Sequence, residues 1–209
     1  MKWLDFVQFL IYYVFLVLSA AVHESAHAWS AYKFGDPTAK LQNRISLNPA
    51  RHIDIIGTVI VPFMFFLSSG LIFGWAKPTP VNPSYFKNPK RDGIFVSGAG
   101  PVSNFLCVLL LAGLWHAAKI FIGNPVVMYV LTIGIIVNLM LAVFNMLPIP
   151  PLDGSGVLEG LLPESLARGY AKMRPYGFLI LIALFYLTGL GSLISGAIGY
   201  VASLLGVRM

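Results

Sequence analysis

Ionisable residues stand inside a strongly apolar stretch near the start of the chain. Residues 8–32 are largely apolar, yet towards their end the sequence reads His23-Glu24-Ser25-Ala26-His27. Ionisable side chains inside a membrane segment are costly, so a cluster of them requires a compensating partner. Residues four apart lie on one face of a helix, one turn above the other. The two imidazoles can therefore reach one zinc ion at about 2.0–2.1 Å, with Glu24 beside it to take a proton from water.

Composition indicates that this motif belongs to an integral membrane protein. Of the 209 residues, 57% are hydrophobic and 11% are charged, and the mean hydropathy is +0.80. A soluble domain usually has about 25% charged residues. The net charge of +6 comes from Lys and Arg in polar loops, which favours topology signals facing anionic lipid over nucleic-acid binding. We expect one membrane-embedded domain, residues 1–209, with a core at 8–155 and a C-terminal apolar region at 176–206.

The apolar pattern predicts an all-α polytopic membrane protein with about five to six membrane helices. The segments that can enter the bilayer are 8–32, 55–73, 94–117, 126–147 and 176–206, the last forming one or two spans. Residues 74–81 read Gly-Trp-Ala-Lys-Pro-Thr-Pro-Val. Proline at alternate positions suits a short extended edge strand, because the missing N–H is not needed there.

Segment 55–73 is interpreted as re-entrant, with a full crossing as the alternative. It is interrupted by Pro62 and by Ser68-Ser69-Gly70. If it returns to the side from which it entered, the three polar loops of that side carry four, four and three Lys or Arg residues, eleven in all. The opposite side then keeps only Lys2 and Lys119, with Arg208 unassigned, which obeys the positive-inside rule better than a full crossing does. The helices at 8–32 and 126–147 would then run parallel.

A third metal ligand is needed, because a catalytic zinc has three protein ligands and one open position. Asp153 is the strongest candidate, since it follows a helix end that prolines at 148, 150 and 151 break at membrane depth. His52 lies in a loop and could act as an auxiliary or inhibitory ligand. His116 lies near a helix end, where a role at the membrane interface is favoured.

Three asparagines lie within apolar segments. Asn145 adjoins the turn that carries Asp153, so it could hold a substrate carbonyl or a developing oxyanion. A hydrogen bond between helices is an equal alternative for Asn145 and the better explanation for Asn138. Asn104 is a further auxiliary candidate.

Three motifs together resemble the site-2 protease family of intramembrane zinc metalloproteases. They are His-Glu-Ser-Ala-His at 23–27, Ser-Gly-Ala-Gly-Pro-Val-Ser-Asn at 97–104, and Asn-Met-Leu-Pro-Ile-Pro-Pro-Leu-Asp-Gly at 145–154. The extended piece at 74–83 looks like that of a small bacterial and archaeal subgroup that lacks PDZ domains. The resemblance spans roughly residues 8–155.

The resemblance implies an enzyme that hydrolyses peptide bonds in or near transmembrane segments of membrane-protein substrates. It implies one zinc ion per chain bound by His23, His27 and Asp153, with Glu24 as general base and Asn145 assisting the substrate or oxyanion. It also implies a substrate-pairing strand near the site, for which the candidates are Gly74, Trp75, Ala76, Lys77, Pro78, Thr79, Pro80 and Val81. The expected location is the prokaryotic cell membrane, with the active site nearer the cytoplasmic side.

Two other classes of protein stay open at this point. One is a zinc-binding membrane protein without proteolytic activity, such as a metal transporter, and the other is a silent module that captures membrane helices. A transporter would carry ionisable residues along a path through the membrane, whereas here they cluster at one depth. An intact Glu24 argues against the silent module. The oligomeric state and the substrate are left open by the sequence.

Overall fold

The chain is built almost entirely of helices. The structure, a computed structural model, describes residues 3–69 and 74–207; Lys2, Arg208 and the last residues of the apolar segment 55–73, from Gly70 onwards, lie outside the described residues. The α-helices within the described ranges are α1 Trp3–Lys33, α2 Thr38–Leu41, α3 Val61–Ser69, α4 Pro89–Phe121, α5 Pro125–Asn145, α6 Asp153–Leu161, α7 Glu164–Ala171, α8 Gly177–Leu187 and α9 Leu190–Leu204. Single turns of 3-10 helix occur at Pro49–Arg51, Pro83–Tyr85 and Arg174–Tyr176, and a π-helix at Ile55–Ile60 leads into α3.

Three helices are long and apolar enough to cross a membrane, namely α1, α4 and α5. A fourth span results if Glu164–Leu187 and Leu190–Leu204, which are bent by 81°, are taken together. The apolar helix Ile55–Ser68 is about 21 Å long at 1.5 Å per residue, less than the roughly 30 Å of hydrocarbon. The expected count of five to six membrane helices is therefore not confirmed. The C-terminal apolar run is broken at Gly189, whose φ of +67° lies in the left-handed region.

The predicted edge strand at 74–81 is also not confirmed, because the described residues contain no β-strand. Residues 74–81 have no regular secondary structure, and we call this stretch the extended segment, after the extended chain that the sequence predicts. Its backbone bonds go to the π-helix and to a loop instead of a neighbouring strand: Trp75 N donates to Gly57 O of the π-helix at 3.0 Å, and Lys77 N donates to His52 O at 2.8 Å. A ladder needs a second strand with matching donors and acceptors, and no described residue supplies one here.

Two of the three long helices start with the same local signal. The Asn88 side chain accepts a hydrogen bond from Arg91 N and Pro89 opens α4, while the Asn124 side chain accepts from Val126 N and Pro125 opens α5. The asparagine side chain accepts a hydrogen bond from an N–H of the first turn, which has no partner within the helix. Proline has no N–H, and at the first helical position that N–H would have no partner within the helix.

The helices α1 and α4 are antiparallel and joined by polar contacts. His27 in the later part of α1 meets Val96 in the early part of α4, and Ser19, two turns earlier, meets Asn104. Residue numbers therefore rise along one helix as they fall along the other.

The helices α4 and α5 are antiparallel as well. Asn104 contacts Asn138, and Trp115 Nε1 donates to Thr132 Oγ1 at 3.1 Å. Since α4 opposes both of its neighbours, α1 and α5 run parallel, as expected for the helices at 8–32 and 126–147. Apolar packing against α5 fixes this arrangement, with one buried cluster on the α1 side (Leu16, Ile133, Val137) and another that includes α9 (Val108, Trp115, Ile135, Leu139, Ile194, Ile198).

Candidate metal centre and active site

Two histidines from α1 and one aspartate from the first turn of α6 meet at one point. His23 Nε2 lies 3.1 Å from His27 Nε2, and Asp153 Oδ2 lies 3.0 Å from the first nitrogen and 3.3 Å from the second. Both imidazoles are buried. These three residues form the group of potential metal ligands that the described part of the chain contains. The parallel course of α1 and α5 produces this meeting, because both helices deliver their C-terminal ends to the same side.

The far side of each imidazole faces an oxygen that cannot donate a hydrogen bond. His27 Nδ1 lies 2.7 Å from the Val96 carbonyl, and His23 Nδ1 lies 2.6 Å from Asn104 Oδ1. The Asn104 amide is oriented by its own donations to Ser19 O at 3.1 Å and Asn138 Oδ1 at 3.0 Å. Each Nδ1 therefore carries the proton, which leaves each neutral Nε2 with a lone pair directed at the meeting point.

The close approach of α4 to the histidines depends on a glycine. A Cβ built on Gly100 would lie 2.3 Å from His27 Nε2 and 2.6 Å from His23 Nε2. Any side chain at this position would displace the rings. The Ser-Gly-Ala-Gly-Pro motif thus provides the space in which the two imidazoles lie against α4.

Zinc fits this set of donor atoms. Tetrahedral zinc with bonds of about 2.0–2.1 Å separates its ligand atoms by about 3.3 Å, close to the three separations observed here. Asp153 Oδ2 is buried without a hydrogen-bond partner among the described residues. Because both rings carry their proton at Nδ1, neither Nε2 donates a hydrogen bond to this carboxylate oxygen. Three lone pairs without a donor between them are stable only around a cation.

Glu24 is held by the extended segment. Thr79 N donates to Glu24 Oε2 at 2.7 Å, and Thr79 Oγ1 donates to the Glu24 carbonyl at 2.9 Å. Glu24 follows His23 directly in α1, so its carboxylate projects from the helix beside the ligand group. The extended segment therefore restrains the carboxylate from the side opposite to the helix.

A buried arginine fixes the extended segment two residues before Thr79. Arg44 is 4% exposed, and its Nη2 donates to the Lys77 carbonyl and lies 3.5 Å from His52 Nδ1. The N–H of Lys77 donates to the His52 carbonyl, so both backbone groups of Lys77 are bound. A buried charge is costly unless it is hydrogen-bonded, so the contacts with Lys77 and His52 are needed to keep the Arg44 guanidinium in the interior.

His52 lies apart from the metal ligands. Its Nε2 donates to the Ser46 carbonyl at 2.7 Å and lies 3.4 Å from Ser25 Oγ, which itself donates to Ser46 O. Burial lowers the pKa of His52, and the Arg44 guanidinium lowers it further, so the ring is neutral and Nδ1 accepts from Arg44. The structure thus does not bring His52 into the group of His23, His27 and Asp153.

The remaining candidates are placed as follows. Asn104 contacts His23, as described above. Asn145 ends α5 and donates to the Leu141 carbonyl of its own helix at 3.0 Å. His116 Nε2 lies 2.8 Å from the Leu205 carbonyl, far from the centre along α4. Asn138 bonds Asn104 and its own helix at Gly134 O, which agrees with the helix-packing interpretation.

A cavity of about 550 Å³ opens onto the centre. Its walls include Glu24, His27 and Asp153 on one side and Pro78 and Thr79 of the extended segment on the other. Charged residues from α4, α6, α7 and the following turn surround its outer part, including Lys90, Glu159, Glu164, Arg168 and Arg174. The cavity leaves the carboxylate of Glu24 and the group of potential metal ligands open to solvent.

Two functional contacts were not anticipated from the sequence. Val96 acts through its backbone carbonyl, which any residue could supply, so no side-chain signal exists. Arg44 stands in a loop with other basic residues, and its burial cannot be seen without the fold. The sequence predicts Thr79 as part of the candidate substrate strand, but it does not predict its hydrogen bond to Glu24.

Comparison with known proteins gives matches to zinc metalloproteases. The family model of peptidase family M50 matches residues 115–188, a region that includes α5 and Asp153. YwhC of Bacillus subtilis (strain 168), which carries the name of a zinc metalloprotease, is 44% identical over 186 residues, covering 85% of this chain and 80% of YwhC.

More distant relatives carry the same kind of name. Rip2 of Mycolicibacterium smegmatis is 29% identical over 80% of this chain and 63% of its own length, and Rip2 of Mycobacterium tuberculosis (strain H37Rv) is 28% identical over 91% and 72%. No solved structure gives a significant match. Because the identity to YwhC extends over most of both proteins, the chain belongs to peptidase family M50, the site-2 protease family of zinc metalloproteases.

Proposed function

We propose that His23, His27 and Asp153 bind the single zinc ion of this intramembrane metalloprotease, and that Glu24 is its general base. One observation carries the assignment: three buried ligand atoms lie 3.0–3.3 Å apart, and the other nitrogen of each imidazole is already bound to an oxygen. When bound, zinc supplies a Lewis acid that polarises the scissile carbonyl and acidifies water.

Protein side chains supply the proton transfer and the contacts with the substrate. Glu24 Oε1 is free to take a proton from the attacking water, because Thr79 N–H binds Oε2. The same carboxylate then returns the proton to the leaving amine, which completes general acid–base catalysis. Asn145 assists the substrate carbonyl or the oxyanion in this proposal. That role requires its amide to leave the Leu141 carbonyl when substrate binds.

The extended segment is the proposed substrate-pairing element. The backbone groups of Trp75 and Lys77 and the N–H of Thr79 are bound on the inner side. Within the described residues, the N–H of Ala76 and the carbonyls of Ala76 and Pro78 have no hydrogen-bond partner. Alternate residues of an extended chain face opposite sides, so these groups form an open edge. A substrate helix must unwind to expose its carbonyls, and this edge can replace the lost hydrogen bonds.

The site is proposed to face the cytoplasm across a prokaryotic cell membrane. The end of α1, the start of α4 and the turn after α5 meet at the centre and so lie on one side of the bilayer. The polar stretches 33–53 and 74–93, which connect these elements, hold eight Lys and Arg residues. The positive-inside rule supports a cytoplasmic position for this side. We propose further that the short helix Ile55–Ser68 re-enters the membrane on it.

Zinc content and cleavage of a reporter transmembrane peptide test the assignment together. The detergent-purified chain is expected to hold one zinc ion and to cleave the reporter. A chelator should stop cleavage, and added zinc should restore it. Zinc binding without cleavage would instead support a zinc-binding membrane protein that is not a protease. Purified protein without zinc would contradict the proposed ligand set.

A further inference from the structure

A second cavity lies outside the active site, at the end of α1. It has a volume of about 470 Å³ and lies between the last turns of α1 and the loop that includes α2 and Pro49–Arg51. Three cationic side chains line it, namely Lys33, Lys40 and Arg51. No acidic residue contributes to its lining, and within the described residues none of these three cations has an ion-pair partner. We call this cavity the basic groove.

Two aromatic residues of α1 line the basic groove. Trp29 is 55% exposed and has Lys33 Nζ 5.5 Å from its ring centre. Tyr32 has Lys40 Nζ 4.1 Å above its ring, and the same ammonium donates to the Tyr32 hydroxyl at 2.7 Å. Tryptophan and tyrosine at the end of a membrane helix mark the level of the lipid headgroups. The lysines are thus held by aromatic faces at the depth where phosphates lie.

We propose that the basic groove binds the headgroup of one anionic phospholipid, with its phosphate between Lys33, Lys40 and Arg51. Charge selects the ligand, because three cations without carboxylate partners favour a headgroup of net negative charge over a zwitterionic headgroup, whose phosphate is offset by its own cationic group. Position selects a lipid as the source of the phosphate, because the groove begins at the exposed ring of Trp29 on a membrane-spanning helix.

The basic groove is also coupled to the catalytic helix. Ser46 lines it, and Ser46 N donates to Ser25 Oγ at 3.1 Å while that hydroxyl donates back to the Ser46 carbonyl. Ser25 is next to Glu24 in α1. A bound headgroup therefore holds the loop carrying Ser46 against the helix that carries the catalytic motif, and stabilises the folded protein.

The test measures lipid binding by the detergent-purified full chain and does not require proteolytic activity. Native mass spectrometry follows titration with phosphatidylglycerol or with phosphatidylcholine of the same acyl chains. We expect one phosphatidylglycerol to bind in preference and to raise the apparent melting temperature. In the triple variant Lys33→Gln, Lys40→Gln, Arg51→Gln, the affinity should fall by about 100-fold and the rise in melting temperature should disappear.

A matched triple variant controls for net charge. Lys87, Lys119 and Lys172 are exposed and lie outside the basic groove, so changing all three to Gln removes equal charge. Binding of phosphatidylglycerol should persist in this variant. An equal loss of binding in both variants would overturn the proposal in favour of diffuse attraction. Displacement of the lipid by millimolar inorganic phosphate would overturn it in favour of a site for free phosphate.

Discussion

The two halves of the active site are held by different kinds of structure. The ligand region, His23, His27 and Asn104, is fixed by side chains and carbonyls of three packed membrane helices. The base region, Glu24 with Thr79, is fixed by an extended segment without regular secondary structure. The two carboxylates of the site thus differ in support: Asp153 opens a helix, while Glu24 depends on a loop for its second contact.

The difference follows from what each region must do. The proposed metal ligands must keep one geometry, and an asparagine network buried among helices provides it, because every polar group there needs a partner. Asn104 is 0% exposed and uses its side chain to join α1, α4 and α5. The base region must admit a peptide, so it is placed beside a cavity on a segment whose outer edge is open. Mutations should therefore separate zinc binding from turnover.

Glu24→Gln should have the largest effect on turnover and none on zinc. The amide can still accept from Thr79 N–H, so the local structure is kept, but it cannot take a proton from water. Loss of a general base typically lowers the rate by about 10²–10⁴-fold. Initial rates with the reporter peptide measure turnover, and elemental analysis measures the zinc content.

Glu164→Gln is the matched control for this change. It removes a carboxylate that lies on the same cavity but is exposed at its outer part. Turnover should stay within a few-fold of wild type. Cleavage by Glu24→Gln at the wild-type rate would show that another group is the base.

Asn104→Leu should act on the ligand region. The substitution keeps the volume but removes the acceptor of His23 Nδ1, so the imidazole loses its tautomer and orientation. Changes of this kind typically lower metal affinity by about 10–100-fold. Competition with a chromogenic zinc chelator measures the affinity. Asn145→Leu is the comparison, since it should lower turnover while zinc affinity is unchanged. If the wild type, Asn104→Leu and Asn145→Leu all bound zinc with the same affinity, Asn104 would not support a metal ligand.

The sequence alone singles out the three proposed metal ligands, because they lie in regular surroundings. Spacing alone places His23 and His27 on one helix face, and the broken end after α5 singles out Asp153. The parallel course of α1 and α5 followed from the charge distribution over the loops. Asn104 was recognised only as an auxiliary candidate, because its bond to His23 depends on how α4 packs against α1.

The base region and the number of spans could not be predicted in the same way. Alternating prolines indicated an extended chain at 74–81, but whether an extended chain becomes a strand depends on a partner elsewhere. The partners here are Gly57 in the π-helix, His52 in a loop and Glu24 in α1, and the periodicity of residues 74–81 contains no information about them. The number of spans expected from apolar length is also not confirmed. The run at 55–73 contains a short helix that starts with a π turn, and the C-terminal run is bent at Gly189.

Arg44→Met should lower turnover by about tenfold and leave zinc affinity unchanged. The guanidinium holds the Lys77 carbonyl, two residues from the N–H that restrains Glu24, and a hydrogen bond to a charged group contributes about 1.5–3 kcal/mol. The thioether keeps most of the volume but cannot donate. Zinc affinity, kcat and KM measured together show where the effect lies.

Arg91→Met serves as the control for loss of an arginine. Arg91 pairs with Asp92 at the start of α4, and its guanidinium is largely exposed, so little change is expected. Arg44→Lys should recover part of the turnover, because an ammonium can still donate to the carbonyl. If Arg44→Met lost zinc as well, the two regions would form one cooperative unit and the contrast between them would fail.

Ala76→Pro should have the smallest effect, and it should act on substrate alone. Ala76 has the N–H donor of the open edge, and proline removes it while suiting an extended chain. One neutral hydrogen bond contributes about 0.5–1.5 kcal/mol, so kcat/KM for the reporter peptide should fall by about 2–12-fold with zinc affinity unchanged. Pro78→Ala is the matched change, since it adds an N–H near the same edge and should not lower kcat/KM. A wild-type kcat/KM for Ala76→Pro would mean that substrate does not pair with this edge, and Glu24 would then depend on the extended segment only for its own position.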